Sequence, residues 1–495
     1  MEKIGGTTLI YGVESNIRRT TQLIHLLYYS KQPIAKEQIL MQLEVSEQTL
    51  NKDINGIHET LTGITIAKEN KVLRLEMAPH IGIKQIYAIF LGRSVNLKFL
   101  YRVLLMELTV VELAENLFIS ESKVRELIKN WNLIFESKQF EVEIITDAEN
   151  RLLVLGNESN IHKIFYQIIT GVYRQKFVQD DKFRKLYTYY EQFVHRYLPE
   201  KEGRWIENTA IQLFFSLTRF SRHCCFKEDY GCREMQIATN IMNKLENEVA
   251  FKSLLIQAFS FSVTVDNLLS LFPKEALLLE LHPTEANHSL IIYSKRQMDI
   301  EMLHNFVQNF LLKLNYQPTK EVTAKISKEL WEVLSYQSTI PFLFFNSYHN
   351  FCMEFNFRQG KITDILIKEL SKFAELQYLL EKEALFEEFF YRFHIILSSY
   401  GFKLGTKKKV LLISRLDDFY IKMMQNHLLK RYSNLIDLEI YKEKLYKIDF
   451  RQFHEADVII TDLVVPEEQI TDKIIYSSEA ITNRFWQNLE TKLYL

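Results

Sequence analysis

The residues best placed to do chemistry in this chain are hydrogen-bond donors grouped on short helical stretches. In the segment Thr109–Trp131, Lys123, Arg125, Lys129 and Asn130, with Ser122 beside them, fall on the side of a predicted helix away from Val124, Leu127 and Ile128. Cations and amides in that spacing can donate to DNA phosphates and base edges. A second donor set, Gln48, Thr49, Asn51 and Lys52, occupies the corresponding part of the segment Ile34–Ile57, among the acids Glu47, Asp53 and Glu59, which are expected to face and repel phosphate. Two histidines follow a glutamate by seven residues, Glu275 before His282 and Glu387 before His394. Seven residues are two helical turns, so each Glu and His share a face. The four cysteines, Cys224, Cys225, Cys232 and Cys352, include no C-x-x-C pair. They read as reduced thiols and not as a metal site.

The elements that must carry the donors are legible around them. Leu113, Ala114 and Leu117 recur at helical spacing, Phe118-Ile119-Ser120 breaks the helix, and Ser120 can cap the next one. This is helix-turn-helix grammar. It occurs twice, since Ile39, Leu40 and Leu43 precede the turn Val45-Ser46, and Leu50, Ile54 and Ile57 follow it. The run from Ile64 to Leu75 alternates as two strands around Glu69-Asn70, and 140–156 does the same around 147–150. Each helix-turn-helix is thus expected to carry a hairpin wing. The helices 17–28 and 96–105 should complete the two cores, with His25 structural and Arg18 and Arg19 on the surface, either touching the DNA backbone or simply solvated.

Residues 159–402 are patterned almost wholly as helices, a bundle by composition and period. His282 and His394 lie 112 residues apart, the size of a small helical domain, which suggests a duplication. From residue 407 the pattern becomes strand–helix–strand. Strands are expected at 407–414, 436–441, 457–461 and 473–476, with helices at 420–431 and 481–494, forming a small α/β domain with a parallel sheet.

Composition sets the frame. A chain of 495 residues holds three to five domains, and 47% hydrophobic content suffices for packed cores. Only 8 Pro and 14 Gly favour helices. The net charge of −1 is not that of a nonspecific nucleic-acid binder, and residues 1–77 balance nine basic against nine acidic side chains. Neutrality disfavours tight binding by a single copy, because affinity rises with the phosphates neutralised. It suits a dimer or larger homo-oligomer that sums weak contacts. The N-terminus has no signal-peptide pattern and no apolar run reaches 18 residues, so a cytoplasmic protein without a membrane partner is expected.

In this order of parts the chain resembles the Mga/AtxA-like virulence regulators of Gram-positive bacteria, which carry phosphotransferase-system regulation domains (PRDs). The resemblance rests on the architecture, the run Ser46–Ile54 and the Glu-x6-His spacing. It implies a mainly α multidomain chain: tandem winged helix-turn-helix domains at 1–80 and 81–158, PRD-like helical domains at 159–285 and 286–402, and an α/β domain at 403–495 resembling enzyme IIB of the sugar phosphotransferase system. It further implies a DNA-binding transcriptional regulator, an activator of promoters, that multimerises through its C-terminal domain. Phosphocarrier proteins of the phosphotransferase system would modify it at His282 or His394. The other histidine usual in such domains belongs near the first long helix. Here the matching stretches are 211–222, with only His223 at its end, and 330–348, with His349 just beyond. The loop Ser414–Phe419 has no Cys where enzyme IIB places its nucleophile, so the tail is expected to be an interaction domain. No catalytic residue, cofactor or metal ligand is expected. Two other readings stay open. One is an RNA-binding antiterminator of the PRD class, disfavoured because those begin with a strand-rich domain and 17–61 is helical. The other is a helical scaffold.

Overall fold

The computed structural model describes residues 11–30, 32–199, 203–271, 300–314, 316–336, 343–344, 346–402, 407–432, 435–442, 448–469, 471–477 and 481–494. The chain divides into two compact units, one made of residues 1–294 with 335–347, the other of 295–334 with 348–495.

The first unit begins with α1 (Ser15–Tyr29), a short strand β1 (Ile34–Ala35), α2 (Lys36–Leu43), α3 (Glu47–Thr60) and the strands β2 (Ile64–Glu69) and β3 (Val72–Met77). The sheet order is β1-β3-β2, antiparallel throughout. Leu23, Ile24, Ile39, Leu50, Ile54, Ile57, Ile64 and Ile66 fill its core. The same grammar repeats in α5 (Val95–Leu105), α6 (Val110–Leu117), α7 (Glu121–Ser137) and the hairpin β4 (Val142–Thr146) with β5 (Leu152–Gly156).

Between them α4 (Ile83–Leu91) serves two cores. Ile86 and Phe90 enter the first, while Tyr87 and Leu91 enter the second. The second core is continuous with the helices that follow: α8 (Glu158–Ile168), a π-helical turn at Ile169–Tyr173, α9 (Arg174–Val178), α10 (Asp181–Tyr197), α11 (Gly203–Phe220), α12 (Cys232–Glu246), α13 (Val249–Phe259) and α14 (Val265–Leu269). Stacked rings of Phe165 and Phe215, with centroids 3.9 Å apart, tie α8 to α11.

The second unit opens with α15 (Ile300–Lys313), α16 (Lys320–Tyr336), α17 (Ser347–Leu370), α18 (Tyr378–Glu381) and α19 (Glu383–Ser399). The long helix expected to run from 330 to 348 is two helices, so His349 lies inside α17 and not beyond a helix end. Then come β6 (Lys408–Ile413), α20 (Asp418–Tyr432), β7 (Ile436–Ile440), β8 (Val458–Thr461), β9 (Ile474–Tyr476) and α21 (Asn483–Tyr494). The sheet is all parallel, in the order β7-β6-β8-β9, and its central strands β6 and β8 carry apolar runs because both faces are covered.

Candidate nucleic-acid interface

Both turns are built alike. Glu44 and Phe118, at the ends of α2 and α6, adopt left-handed backbone with φ of 53° and 55°. The next N–H reaches back to the helix in each, Val45 to Leu40 O at 3.1 Å and Ile119 to Ala114 O at 3.0 Å. Ser46 and Ser120 then cap α3 and α7, each accepting from the N–H three residues on at 3.2 Å. Thr109 and Glu112 close a reciprocal capping box on α6. The two serines stand 74 residues apart, and the same spacing relates every other part of the two turns.

The wings are fastened to the second helices at matching points. Asn132 accepts from Ile144 N and donates to Ile144 O, both at 2.8 Å. Seventy-four residues earlier, His58 Nε2 accepts from Ile66 N at 2.9 Å, on the middle of β2.

On α7, Val124 and Leu127 are fully buried and Ile128 packs partly against them. Ser122, Arg125, Lys129 and Asn130 are exposed. Lys123 is half-exposed and its ammonium pairs with Glu126 at 2.7 Å. Lys123, and then Asn130, hold the Glu126 carboxyl below its ordinary range. Lys123 and Asn130 thus share Glu126 as an acceptor at the helix surface. Among the described residues Arg125 and Lys129, one turn apart, carry no ion pair.

On α3, Gln48 and Lys52 are exposed. Thr49 Oγ1 lies 3.0 Å from the capping Ser46 Oγ. Asn51 accepts from Lys68 Nζ on the wing at 2.7 Å. Two expectations, one on this helix and one on α1, are corrected. Asp53 does not face phosphate; it is buried and takes a two-pronged bond from Arg19, at 2.6 and 3.0 Å. Arg19 is spent on that pair and not left at the surface, because a buried carboxylate needs its counter-charge. Glu47, the nearest acid, is paired with Lys36.

Behind the second helix-turn-helix sits a chain of buried charge. Arg219 on α11 donates to Glu158 on α8 at 2.7 and 2.8 Å. Burial alone would raise the Glu158 carboxyl, but Arg219 and His162 hold it at about 2. Burial drives His162 toward its neutral form. Arg222 donates to the carbonyls of Val103 and Leu104 at 3.5 and 3.3 Å, at the C-terminal end of α5. Burial lowers its guanidinium to about 10. In the sequence His162 is signalled only by its i, i+4 spacing from Glu158. His223 is exposed in left-handed backbone after α11.

Of the two candidate phosphate acceptors, His282 and the preceding Glu275 lie outside the described residues. His394 on α19 is half-buried between the rings of Phe351 and Phe355, at 5.1 and 5.3 Å. Burial lowers its pKa. Glu387 does not partner His394. It reaches across to His349 Nδ1 at 2.6 Å. That bond raises the His349 pKa. A helix face can be shared without contact, and Glu387 points to the neighbouring helix.

Among the described residues, the ligand atoms of His349, Glu383 and Glu387 are close enough to hold a metal ion, all within 4.8 Å of one another. Within that group His349 and Glu387 pair with each other, and Glu383 is exposed beside them. Cys224, Cys225 and Cys232 do not join such a group, and burial pushes the Cys352 thiol up to about 12. Among the described residues no helix is long and apolar enough to cross a membrane.

In the α/β domain the crevice beyond β6 and β8 is the point where strand order reverses, the usual ligand position of such sheets. Here Asp462 fills it, accepting from Ser414 Oγ at 2.7 Å and Arg415 N at 3.1 Å. A carboxylate in that place repels an anion.

A family model described as the Mga helix-turn-helix domain matches residues 79–168, which span α4 to α8. A relative named "Putative trans-acting regulator", from Streptococcus pneumoniae serotype 4, is 18% identical over 487 residues, covering 94% of each chain. The matched domain is the one that displays Arg125 and Lys129, so the chain is similar there to the Mga helix-turn-helix domain and, along its length, to a protein named as a trans-acting regulator.

Proposed function

We propose that this protein is a transcription regulator that binds promoter DNA through its two helix-turn-helix units, with α7 as the main reader. One observation carries the reading: a capped helix-turn-helix presents Arg125 and Lys129 unpaired on the exposed side of α7, opposite Val124 and Leu127. Arginine and lysine so placed match base-edge and phosphate acceptors in a major groove. Ser122 lies on the same face. Gln48 and Lys52, with Thr49 and Asn51 beside them, form the auxiliary set on α3.

The finer reading is an activator that works as a homo-oligomer. The near-neutral charge of the chain favours it, since several copies would have to add their contacts. We assign self-association to the C-terminal α/β domain, whose switch-point crevice is occupied by Asp462 and so suits contact better than phosphate transfer.

Regulation is assigned to His394, with His282 as its counterpart. Burial keeps the His394 imidazole in the unprotonated, nucleophilic form, whereas Glu387 favours protonated His349. A phosphoryl group arriving from a phosphocarrier's histidine would bring about two negative charges between Phe351 and Phe355 and repack that helix pair.

The test is a gel shift on duplexes selected by the wild-type protein from a random-sequence pool. The double variant Arg125→Ala/Lys129→Ala should lose the shift while keeping its helical circular dichroism. Failure of the wild type to enrich any duplex, or an unchanged shift in the double variant, would overturn the DNA reading. Phosphate transfer from purified phosphocarrier proteins, with and without His394→Ala, tests the regulatory part.

A further inference from the structure

The two wings, though fastened to their helices at equivalent points, are electrically opposite. The first, residues 64–77, carries Lys68, Lys71 and Arg74 against Glu69 and Glu76. The second, residues 140–156, carries Glu141, Glu143, Asp147 and Glu149 against Arg151 alone.

The tips differ further in how their cations are used. Arg151 is taken up by Asp147 at 2.8 Å, Glu149 at 3.0 Å and Glu107 at 3.8 Å. Asp147 also accepts the N–H groups of Glu149 and Arg151, both at 2.9 Å, so its carboxylate is built into the turn. In the first wing, Glu69 pairs with Val72 and leaves a two-residue turn, Asn70-Lys71. Both turn residues have positive φ, 46° and 66°. Such turns favour Asn followed by Gly, because a side chain at the second position strains the backbone. Lysine stands there instead. Its carbonyl is pinned by Lys36 N at 2.9 Å, its side chain is exposed, and among the described residues its ammonium has no ion pair. Lys68, at the other side of the tip, bridges to Asn51 on α3, so the cationic tip continues the polar face of that helix. A strained backbone kept at an exposed, unpaired cation points to a use for the cation.

We propose that only the first wing reaches the DNA backbone, placing Lys71 on a phosphate, and that the second domain engages the duplex through α7 with its acidic wing held away. This rests on the DNA-binding reading above.

The test is fluorescence anisotropy on a labelled duplex selected by the wild-type protein, read across a salt series, with melting temperatures in parallel. Lys71→Gly relieves the strained turn and removes the charge. It should raise the melting temperature yet weaken binding several-fold, with the salt slope smaller by about 0.9 for one phosphate contact. Lys71→Asn, which tolerates the left-handed turn without charge, should weaken binding equally. Glu149→Gln should leave affinity and slope unchanged. Wild-type binding by both Lys71 variants, weakening by Lys71→Gly alone, or an altered salt slope in Glu149→Gln would each overturn the proposal. Wild-type protein that selects no duplex would instead sink the DNA reading on which it rests.

Discussion

Asn132 holds Ile144 by both of its amide atoms, donating to the carbonyl and accepting from the N–H at 2.8 Å each. The backbone groups in the middle of β4 are thereby satisfied from α7, and the wing cannot swing without breaking two bonds at once. Replacing Asn132 by Ala leaves both groups of Ile144 without that partner. We expect a loss of about 1–3 kcal/mol in urea denaturation. An unchanged midpoint would show that the pair does not position the wing.

The Glu158–Arg219 pair gives acid sensitivity with a defined sign. The Glu158 carboxyl is depressed from 4.5 to about 2 in the folded chain. Its contribution is therefore complete above about pH 4.5 and fades as pH falls toward 2, amounting to about 3 kcal/mol. Stability measured from pH 6 down to pH 3 should fall more steeply for the wild type than for Glu158→Gln. Arg219→Ala leaves the buried carboxylate uncompensated and should cost about 3–5 kcal/mol at neutral pH.

His349 runs the other way. Its pKa is raised, chiefly by the bond to Glu387, so the stabilisation it brings is present below its ordinary value and is lost as pH rises through the folded one. An NMR titration should place His349 above an unperturbed histidine. In Glu387→Gln the value should drop, while His394, which is lowered by burial and does not contact Glu387, should hardly move.

Gly12 sits with φ of +66° against the ring of Trp131, where an added Cβ would lie 2.2 Å from a ring carbon. Trp131 is fully buried and donates its indole N–H to Asn96 O at 3.2 Å, so it cannot step aside freely. Gly12→Ala should lower stability by roughly 1–3 kcal/mol in thermal denaturation.

Much of this arrangement was legible because local rules and packing agreed. Ser46 and Ser120 are caps by residue type, and the faces of Leu50 and Ile54, or Val124 and Leu127, follow from helical period alone. The parallel sheet was visible in apolar runs such as Val458–Thr461. What escaped was pairing between distant segments. That Arg19 neutralises Asp53, that Glu387 turns to His349, and that Arg222 caps α5 depend on contacts spanning 34, 38 and 118 residues, and no periodicity encodes them. Glu126, one turn along from Lys123, pairs with it at the surface, a local contact that the donor spacing alone does not show.

Helix α4 sends Ile86 and Phe90 one way and Tyr87 and Leu91 the other, like a shared wall between two rooms. Neither room can be taken down alone. A fragment cut near residue 80 would strip the front compartment of two ring-and-branch fillers, and one begun there would expose the same pair to water. The two helix-turn-helix units therefore behave as one inheritable block, able to diverge in surface chemistry but not to be shuffled separately.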